Sequence, residues 1–287
     1  MSGPVLVIHG GAGRAPEDPA ARADAERALA AALAAGGAIL DAGGAALDAV
    51  DAAVASMERS GCFNAGRGAV ADRDGGVSLD AAIMDGATRA AGAVAAVSRV
   101  AVAIAAARLV MERTPHVLLA GPAADAFALA AGAPPAGAGT FLHARASEAG
   151  TVGAVALDAA GRLAAATATG GVTGKLPGRV GDSPLLGAGT WADARCAVSA
   201  TGSGEHFIRA GFAAQLAHGR AAGLPLGEAA RRALADVVTL GGYGGCIAVD
   251  AEGHVATPFS TAAMYRGILE RGRPPRVAAL PDDDSGK

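Results

Sequence analysis

Gly150-Thr151-Val152-Gly153-Ala154-Val155-Ala156-Leu157-Asp158 is the stretch on which the reading of this chain turns. A β-branched hydroxyl residue follows a glycine and opens an apolar run suited to a buried strand. If the backbone breaks between Gly150 and Thr151, the threonine gains a free α-amine beside its own hydroxyl. A threonine hydroxyl is a weak nucleophile without a base, and an α-amine titrating at about 7.7–8.0 is such a base. In an unbroken chain Thr151 is an ordinary strand residue. The flanking sequence has to decide between these two readings.

Working outward, Asp158-Ala159-Ala160-Gly161 turns the chain into a second strand, Leu163–Thr169. The same Asp-Ala-X-Gly pattern at 250–253 joins Cys246–Val249 to His254–Thr257, which predicts adjacent hairpins of like geometry rather than a solenoid repeat. Helices are expected between them at 205–221 and 226–239. Upstream, a strand at Val5–Ile8 runs into His9-Gly10-Gly11-Ala12-Gly13, followed by helices over 19–35 and 45–59 and a glycine-broken loop, Ser60–Gly68. Strands are expected at 68–72, 76–83 and 91–97, the first two joined by Arg73-Asp74-Gly75, and a helix at 100–113. The Pro- and Gly-rich segment from 132 to 150 reads as an exposed linker. Strands, then helices, then strands in each half favour an α+β architecture. Strands with few polar positions are buried on both faces, so the expected fold is a single domain over 1–287, a four-layer α-β-β-α sandwich. The break would divide it into an α subunit, 1–150, and a β subunit, 151–287.

Composition excludes several classes of function. Hydrophobic residues make up 52% and charged residues 18% of 287, which excludes a disordered chain. A net charge of −3 leaves no electrostatic footprint for nucleic acid or acidic lipid. Lys175 and Lys287 are the only lysines, a bias read as genomic. Cys62, Cys196 and Cys246 stand far apart and outside any CxxC spacing, which fits a reducing compartment. With no signal-like start and apolar stretches interrupted by Gly or charge, a cytoplasmic protein without membrane spans is expected. His9, His116, His143, His206, His218 and His254 lack zinc-ligand spacing. No GxSxG elbow accompanies His9-Gly10-Gly11, so an α/β-hydrolase is rejected and His9 is read as a structural hydrogen-bonding residue.

Two further segments carry chemistry. Arg179 and Asp182 stand three apart in a Gly/Pro-shaped loop, where a guanidinium fork and a carboxylate can grip both ends of an α-amino acid. The alternative is an ordinary surface pair. Ala200-Thr201-Gly202-Ser203-Gly204-Glu205 opens a helix, where the Thr201 hydroxyl and Gly202 N–H suit an oxyanion hole. Thr201 or Ser203 as a plain helix cap is the other account, and the two roles are compatible because the helix donors need partners in either case.

Together these segments resemble the isoaspartyl peptidase/L-asparaginase family, the plant-type asparaginases among the N-terminal nucleophile hydrolases. The resemblance runs through His9–Gly13, Phe63-Asn64-Ala65-Gly66, Met84-Asp85-Gly86, Thr151–Asp158, Leu176–Pro184, Thr201–Glu205 and Gly241–Asp250. It implies that Thr151 is a nucleophile freed by self-cleavage after Gly150, and that Thr169 orients it. It implies that Arg179 and Asp182 hold the substrate α-carboxylate and α-amine, with the Gly204 carbonyl also on the amine. Thr201 and Gly202 would form the oxyanion hole, and Asn64 would help position the nucleophile. The loop Met57–Arg67 would fold round a structural sodium ion through the main-chain carbonyls of Met57, Glu58, Ser60, Phe63, Ala65 and Arg67. No cofactor is implied for catalysis. The implied substrates are asparagine and β-aspartyl dipeptides, and the implied assembly is a homodimer of αβ units.

Two other readings stand beside this one. An uncleaved chain would serve as an amino-acid-binding or scaffold protein, and would persist as one band on a denaturing gel. A glycosylasparaginase-like amidase is the other, although that branch places His-Asp before its threonine and this chain has Glu148-Ala149-Gly150 there.

Overall fold

Strands and helices come in runs, and small side chains line the layers between them. The computed structural model describes residues 3–14, 17–142 and 150–280. In chain order its first part holds β1 (Val5–Gly13), α1 (Pro19–Asp41), α2 (Ala46–Ser60), β2 (Leu79–Asp85), β3 (Ala91–Val97), α3 (Ala103–Arg113), β4 (Leu118–Ala120) and α4 (Gly121–Ala130). Then follow β5 (Val152–Leu157), β6 (Leu163–Thr169), β7 (Thr190–Ala192), β8 (Cys196–Gly202), α5 (Gly204–Ala210), α6 (Phe212–Ala221) and α7 (Leu226–Thr239). The chain closes with β9 (Gly244–Asp250), β10 (Val255–Ala256), β11 (Ala263–Glu270) and β12 (Arg276–Ala278).

Among the described residues the strands form two sheets, one of eight in the order β12-β11-β1-β5-β6-β2-β3-β4 and one of four in the order β10-β9-β8-β7. Every position of β5 and β6 is buried, and these strands lie at the centre of the large sheet. Along β5, Ala154 and Ala156 face the cluster that contains Leu29 and Leu33 of α1 and Val50 and Val54 of α2, while Val155 and Leu157 face Ile247 and Val249 of β9. The period-two alternation therefore distributes apolar residues to both faces. On the far side of the small sheet, Val198 and Cys246 meet Phe207, Phe212, Leu216 and Val237 from α5–α7. The result is the four-layer α-β-β-α sandwich that the sequence leads one to expect.

Small residues set the layer spacing. A Cβ on Gly92 of β3 would lie 2.1 Å from the Ala107 carbonyl of α3, so the helix rests directly on the strand backbone. A Cβ on Gly36 would lie 2.7 Å from the Ala49 carbonyl, which explains why α1 continues through Gly36-Gly37 to Asp41 instead of ending at 35. Close α1–α2 packing offsets the intrinsic helix penalty of glycine, about 1 kcal/mol per residue.

Other expectations fail locally. No strand forms over 68–72. Asp72 instead folds the chain back by accepting from the N–H groups of Asp74 and Gly76, while Arg73 N–H donates to the Lys175 carbonyl. The helix expected over 205–221 breaks at Gly211, whose φ of 58° is left-handed. The segment 132–142 is not a free linker: Ala133 is buried, and the Pro134 carbonyl and the Ala136 N–H bond to Ala101 and Arg99. The remainder of that expected linker, 143–149, lies outside the described residues. The two Asp-Ala-X-Gly turns do share one geometry, each aspartate accepting from the N–H groups two and four residues on, but they belong to different sheets.

Candidate active site

Thr151 stands at the entrance of β5, where the strand has just left solvent. Its hydroxyl donates to Thr169 Oγ1 at 2.9 Å, across the β5–β6 pair whose register sets Val152 opposite Ala168. The Gly171 N–H donates to the same Thr169 oxygen at 3.0 Å. The Thr151 carbonyl faces His9 Nδ1 at 3.0 Å, and His9 Nε2 lies 2.9 Å from Ser199 Oγ. Burial drives the His9 pKa down to about 3, so the ring is neutral. A neutral ring beside a carbonyl carries its proton on Nδ1 and accepts the Ser199 hydroxyl at Nε2.

Glycine lets the peptide before Thr151 enter this corner. Gly11 has φ of 108°, and a Cβ there would lie 2.0 Å from Gly150 N. Thr201 Oγ1 lies 3.5 Å from the position a Cβ would take on Gly150. Thr201 is buried at the end of β8, so the Gly150–Thr151 bond sits between the ends of two strands from opposite sheets. Gly202 follows with φ of 145°, a conformation that glycine alone takes readily. The helix-cap account of this segment fails: Ser203 occupies the cap position of α5, but its hydroxyl donates to the Tyr243 carbonyl and accepts the Tyr243 N–H.

A second cluster is charged and loop-borne. Arg179 Nε donates to Glu205 Oε1 at 2.9 Å, and Arg179 and Asp182 form no ion pair with each other among the described residues. The terminal nitrogens of Arg179 are ringed by glycines: a Cβ on Gly171, Gly181 or Gly204 would lie 3.3, 2.9 or 3.0 Å from one of them. Asp182 is 4% exposed, its Oδ2 has no partner, and its Oδ1 lies 2.8 Å from the Cβ position of Gly204. Burial raises its pKa to about 7 against the opposing pull of Arg179. This is no surface pair. It is a buried carboxylate with one oxygen lacking a hydrogen-bond partner, beside the guanidinium of Arg179.

Two residues of a hydrogen-bond chain separate Asn64 from Thr151. Its Nδ2 donates to the Gly171 carbonyl at 2.6 Å and its Oδ1 accepts from Val70 N–H, so it reaches Thr151 only through Gly171 and Thr169.

The model of the family described as Asparaginase matches residues 2–148 and 139–278 of this chain. An isoaspartyl peptidase of Salmonella typhimurium strain LT2 is 47% identical over 300 residues, covering 93% of this chain and 95% of that protein. A plant-type L-asparaginase of Pyrobaculum calidifontis is 45% identical over 298 residues (96% and 98%), and an isoaspartyl peptidase/L-asparaginase of Rattus norvegicus is 39% identical over 290 residues (94% and 87%). This chain belongs to the asparaginase family.

Several neighbours of the asparaginase-type site were not singled out from sequence. Asp80 of β2 accepts from Ala96 N–H at 2.8 Å and Gly181 N–H at 3.3 Å, with burial raising its pKa against those bonds and the charge of Lys175. Lys175 is buried, donates from Nζ to the Ser78 carbonyl at 2.8 Å, and has its pKa lowered by burial, with Asp80 opposing. Its only sequence signal is its rarity in a chain that uses arginine almost throughout. Thr167, Thr190 and Ser199 signalled only as hydroxyls inside apolar strands.

The Met57–Arg67 loop has carbonyls suited to a weakly held cation. A Cβ on Gly68 would lie 2.3 Å from the Phe63 carbonyl and 2.7 Å from that of Gly61, and a Cβ on Gly66 would lie 2.6 Å from that of Glu58. The Met57, Phe63, Ala65 and Arg67 carbonyls accept hydrogen bonds from Ser60 Oγ, Ala65 N, Gly68 N and Leu142 N, and a carbonyl oxygen has two lone pairs. The buried Glu58 carboxylate points elsewhere, to the Ala103 and Ile104 N–H groups that open α3. No helix among the described residues is long and apolar enough to cross a membrane.

Proposed function

We propose that the chain is a self-cleaving amidohydrolase with Thr151 as its nucleophile, acting on L-asparagine and β-aspartyl dipeptides. The observation that carries this reading is the Thr151 hydroxyl, 2.9 Å from Thr169 Oγ1 at the half-buried Gly150–Thr151 peptide. In the precursor the Thr151 oxygen attacks the Gly150 carbonyl carbon. The C–N bond breaks, the hydroxyl proton passes to the departing nitrogen, and an ester joins the two segments. Water then cleaves the ester, leaving a Gly150 carboxylate and a free Thr151 amine and hydroxyl.

In the mature enzyme that amine accepts the hydroxyl proton as the oxygen attacks the side-chain carbonyl of the substrate. Thr201 Oγ–H and Gly202 N–H donate to the oxyanion. The amine proton passes to the leaving ammonia or amino acid, and water resolves the aspartyl ester to aspartate. Arg179 takes the α-carboxylate; Asp182 and the Gly204 carbonyl take the α-ammonium. The carbonyls of Met57, Glu58, Ser60, Phe63, Ala65 and Arg67 would hold a sodium ion that supports the loop bearing Asn64 and enters no chemical step. The cleaved material is expected to sediment as a pair of αβ units.

The test is intact-mass measurement of purified protein together with assays on asparagine, β-aspartyl-leucine and glycosylasparagine. Two polypeptides, 1–150 and 151–287, and turnover of the first two substrates are expected. Thr151→Ala should stay unbroken and lose activity by about 10⁴-fold or more, as removing a nucleophile does. Full activity from one unbroken chain would overturn the reading, and turnover of glycosylasparagine alone would select the glycosylasparaginase-like alternative.

A further inference from the structure

Self-cleavage leaves Thr151 as a chain end, and a chain end is loosely held unless something fixes it. Two torsions then decide where its amine lies relative to its oxygen and to the strand. Rotation about Cα–Cβ places the hydroxyl, and the bond from Thr151 Oγ1 to Thr169 Oγ1 fixes that rotation. Rotation about Cα–C places the amine relative to β5, and a partner on the Thr151 carbonyl restrains it. That partner is His9.

We infer that His9 is a positioning residue for the nucleophile, with Ser199 and Thr167 holding its ring in the Nδ1–H form that grips the Thr151 carbonyl. The inference rests on the assignment of Thr151 as nucleophile. His9 is fully buried on β1, and Ser199 Oγ lies 2.9 Å from its Nε2. Thr167 Oγ1 lies 2.7 Å from Ser199, and Thr190 Oγ1 lies 2.7 Å from Thr167. These groups come from both sheets and form a polar seam through an otherwise apolar interface. The proton order follows from one fact: a carbonyl can only accept. His9 Nδ1 must donate to it, so Nε2 accepts from Ser199 and Ser199 accepts from Thr167, while the one proton of Thr190 Oγ1 is shared between Thr167 Oγ1 and the Ser183 carbonyl, 2.9 Å away. Every hydroxyl then has its donor role used. Gly153 leaves the space: a Cβ there would lie 2.0 Å from Ser199 Oγ and 2.4 Å from His9 Nε2. A ring held neutral by burial keeps this order across the working pH range.

The experiment uses the full-length protein and has two independent readouts. Imidazole ¹⁵N chemical shifts of His9 in the wild type, at pH 6 and 8, should report a neutral ring protonated on Nδ1. Ser199→Ala frees the ring to take the other tautomer, and His9→Asn keeps a donor near the Nδ1 position without the link to Ser199. Ser199→Ala should slow self-cleavage and lower kcat on β-aspartyl-leucine, approaching the ~10²-fold that misplacing a reacting group costs, with KM unchanged. His9→Asn should retain more kcat than His9→Leu. An Nε2–H or charged ring in the wild type overturns the inference, as does wild-type kcat in Ser199→Ala. Should the variants fail to fold, the wild-type shifts still decide. A wild type that never cleaves, or hydrolyses without Thr151, defeats the nucleophile assignment instead, and the parallel Thr151→Ala control distinguishes the two failures.

Discussion

The two halves of the site are built from opposite materials. Around Thr151 the contacts are uncharged: hydroxyls, carbonyls and one neutral imidazole, carried by strands of both sheets. Around Arg179 they are charges on a glycine-rich loop, with Asp80 and Lys175 beneath and Glu205 at the rim. Strands are stiff and place atoms to within a few tenths of an ångström, which suits bond-making. A loop of charges suits recognition of a zwitterion, and its glycines let the Arg179 guanidinium lie close against the backbone. The difference predicts a kinetic division: damage to the strand ends should appear in kcat, and damage to the loop in KM.

The largest effect separating the halves should come from Thr201→Ala. Thr201 lies on β8 beside Gly150, on the strand side of the divide. Removing one oxyanion donor costs about 10²–10³ in kcat. Steady-state kinetics on asparagine should show that loss with KM nearly unchanged. A rise in KM with kcat preserved would move Thr201 into the recognition half.

Much of this division was readable before any coordinates, and the unread part has a common cause. Thr151, Thr169 and Thr201 announce themselves because a hydroxyl beside glycine at a strand end is unusual and local in sequence. Arg179 and Asp182 do so because they stand three apart in one loop. Asp80, Glu205 and Ser199 act through partners 101, 26 and 190 residues distant, and only the sheet order brings those partners near. The four layers were legible because apolar strands without alternation demand cover on both sides. The false strand at 68–72 arose because a turn signal, Asp-Gly, was read without knowing that the Lys175 carbonyl would capture Arg73 N–H. His9 reads as structural because a threonine mechanism needs no histidine, and its hold on the Thr151 carbonyl needs the β1–β5 register to be seen.

A smaller effect should come from Glu205. Its carboxylate binds Arg179 on Nε and is 59% exposed, so the pair itself contributes little stability. What it does is orient the guanidinium, leaving the terminal nitrogens free toward the three glycines. Glu205→Ala should raise KM for asparagine by about 10-fold, the equivalent of one lost charge-assisted bond of ~1.4 kcal/mol, with kcat and self-cleavage unaltered. Glu205→Gln retains an acceptor and should recover most of the KM. A fall in kcat instead would show that the two halves are not separable at this point.

The subtlest test uses protons, because each half contributes one. Asp182 is held near a pKa of about 7 by burial, with Arg179 favouring and Glu205 and Asp80 opposing its ionisation. In the free enzyme it must lose that proton to receive an ammonium, and the Thr151 amine must lose one at about 7.7–8.0 to act as base. Below pH 7, log kcat/KM should therefore rise with a slope near two in the wild type and near one in Asp182→Asn. The same group has a signed effect on stability. Its folded pKa lies above the unfolded value, so the unfolded chain gives up this proton first and stability falls as pH rises from about 4 to about 7. Asp182→Asn removes that fall, so its Tm relative to wild type should be higher at pH 8 than at pH 4. A wild-type slope of one, or a Tm difference independent of pH, would mean that Asp182 is already ionised and paired in the free enzyme. The recognition half would then be as pre-neutralised as the strand ends.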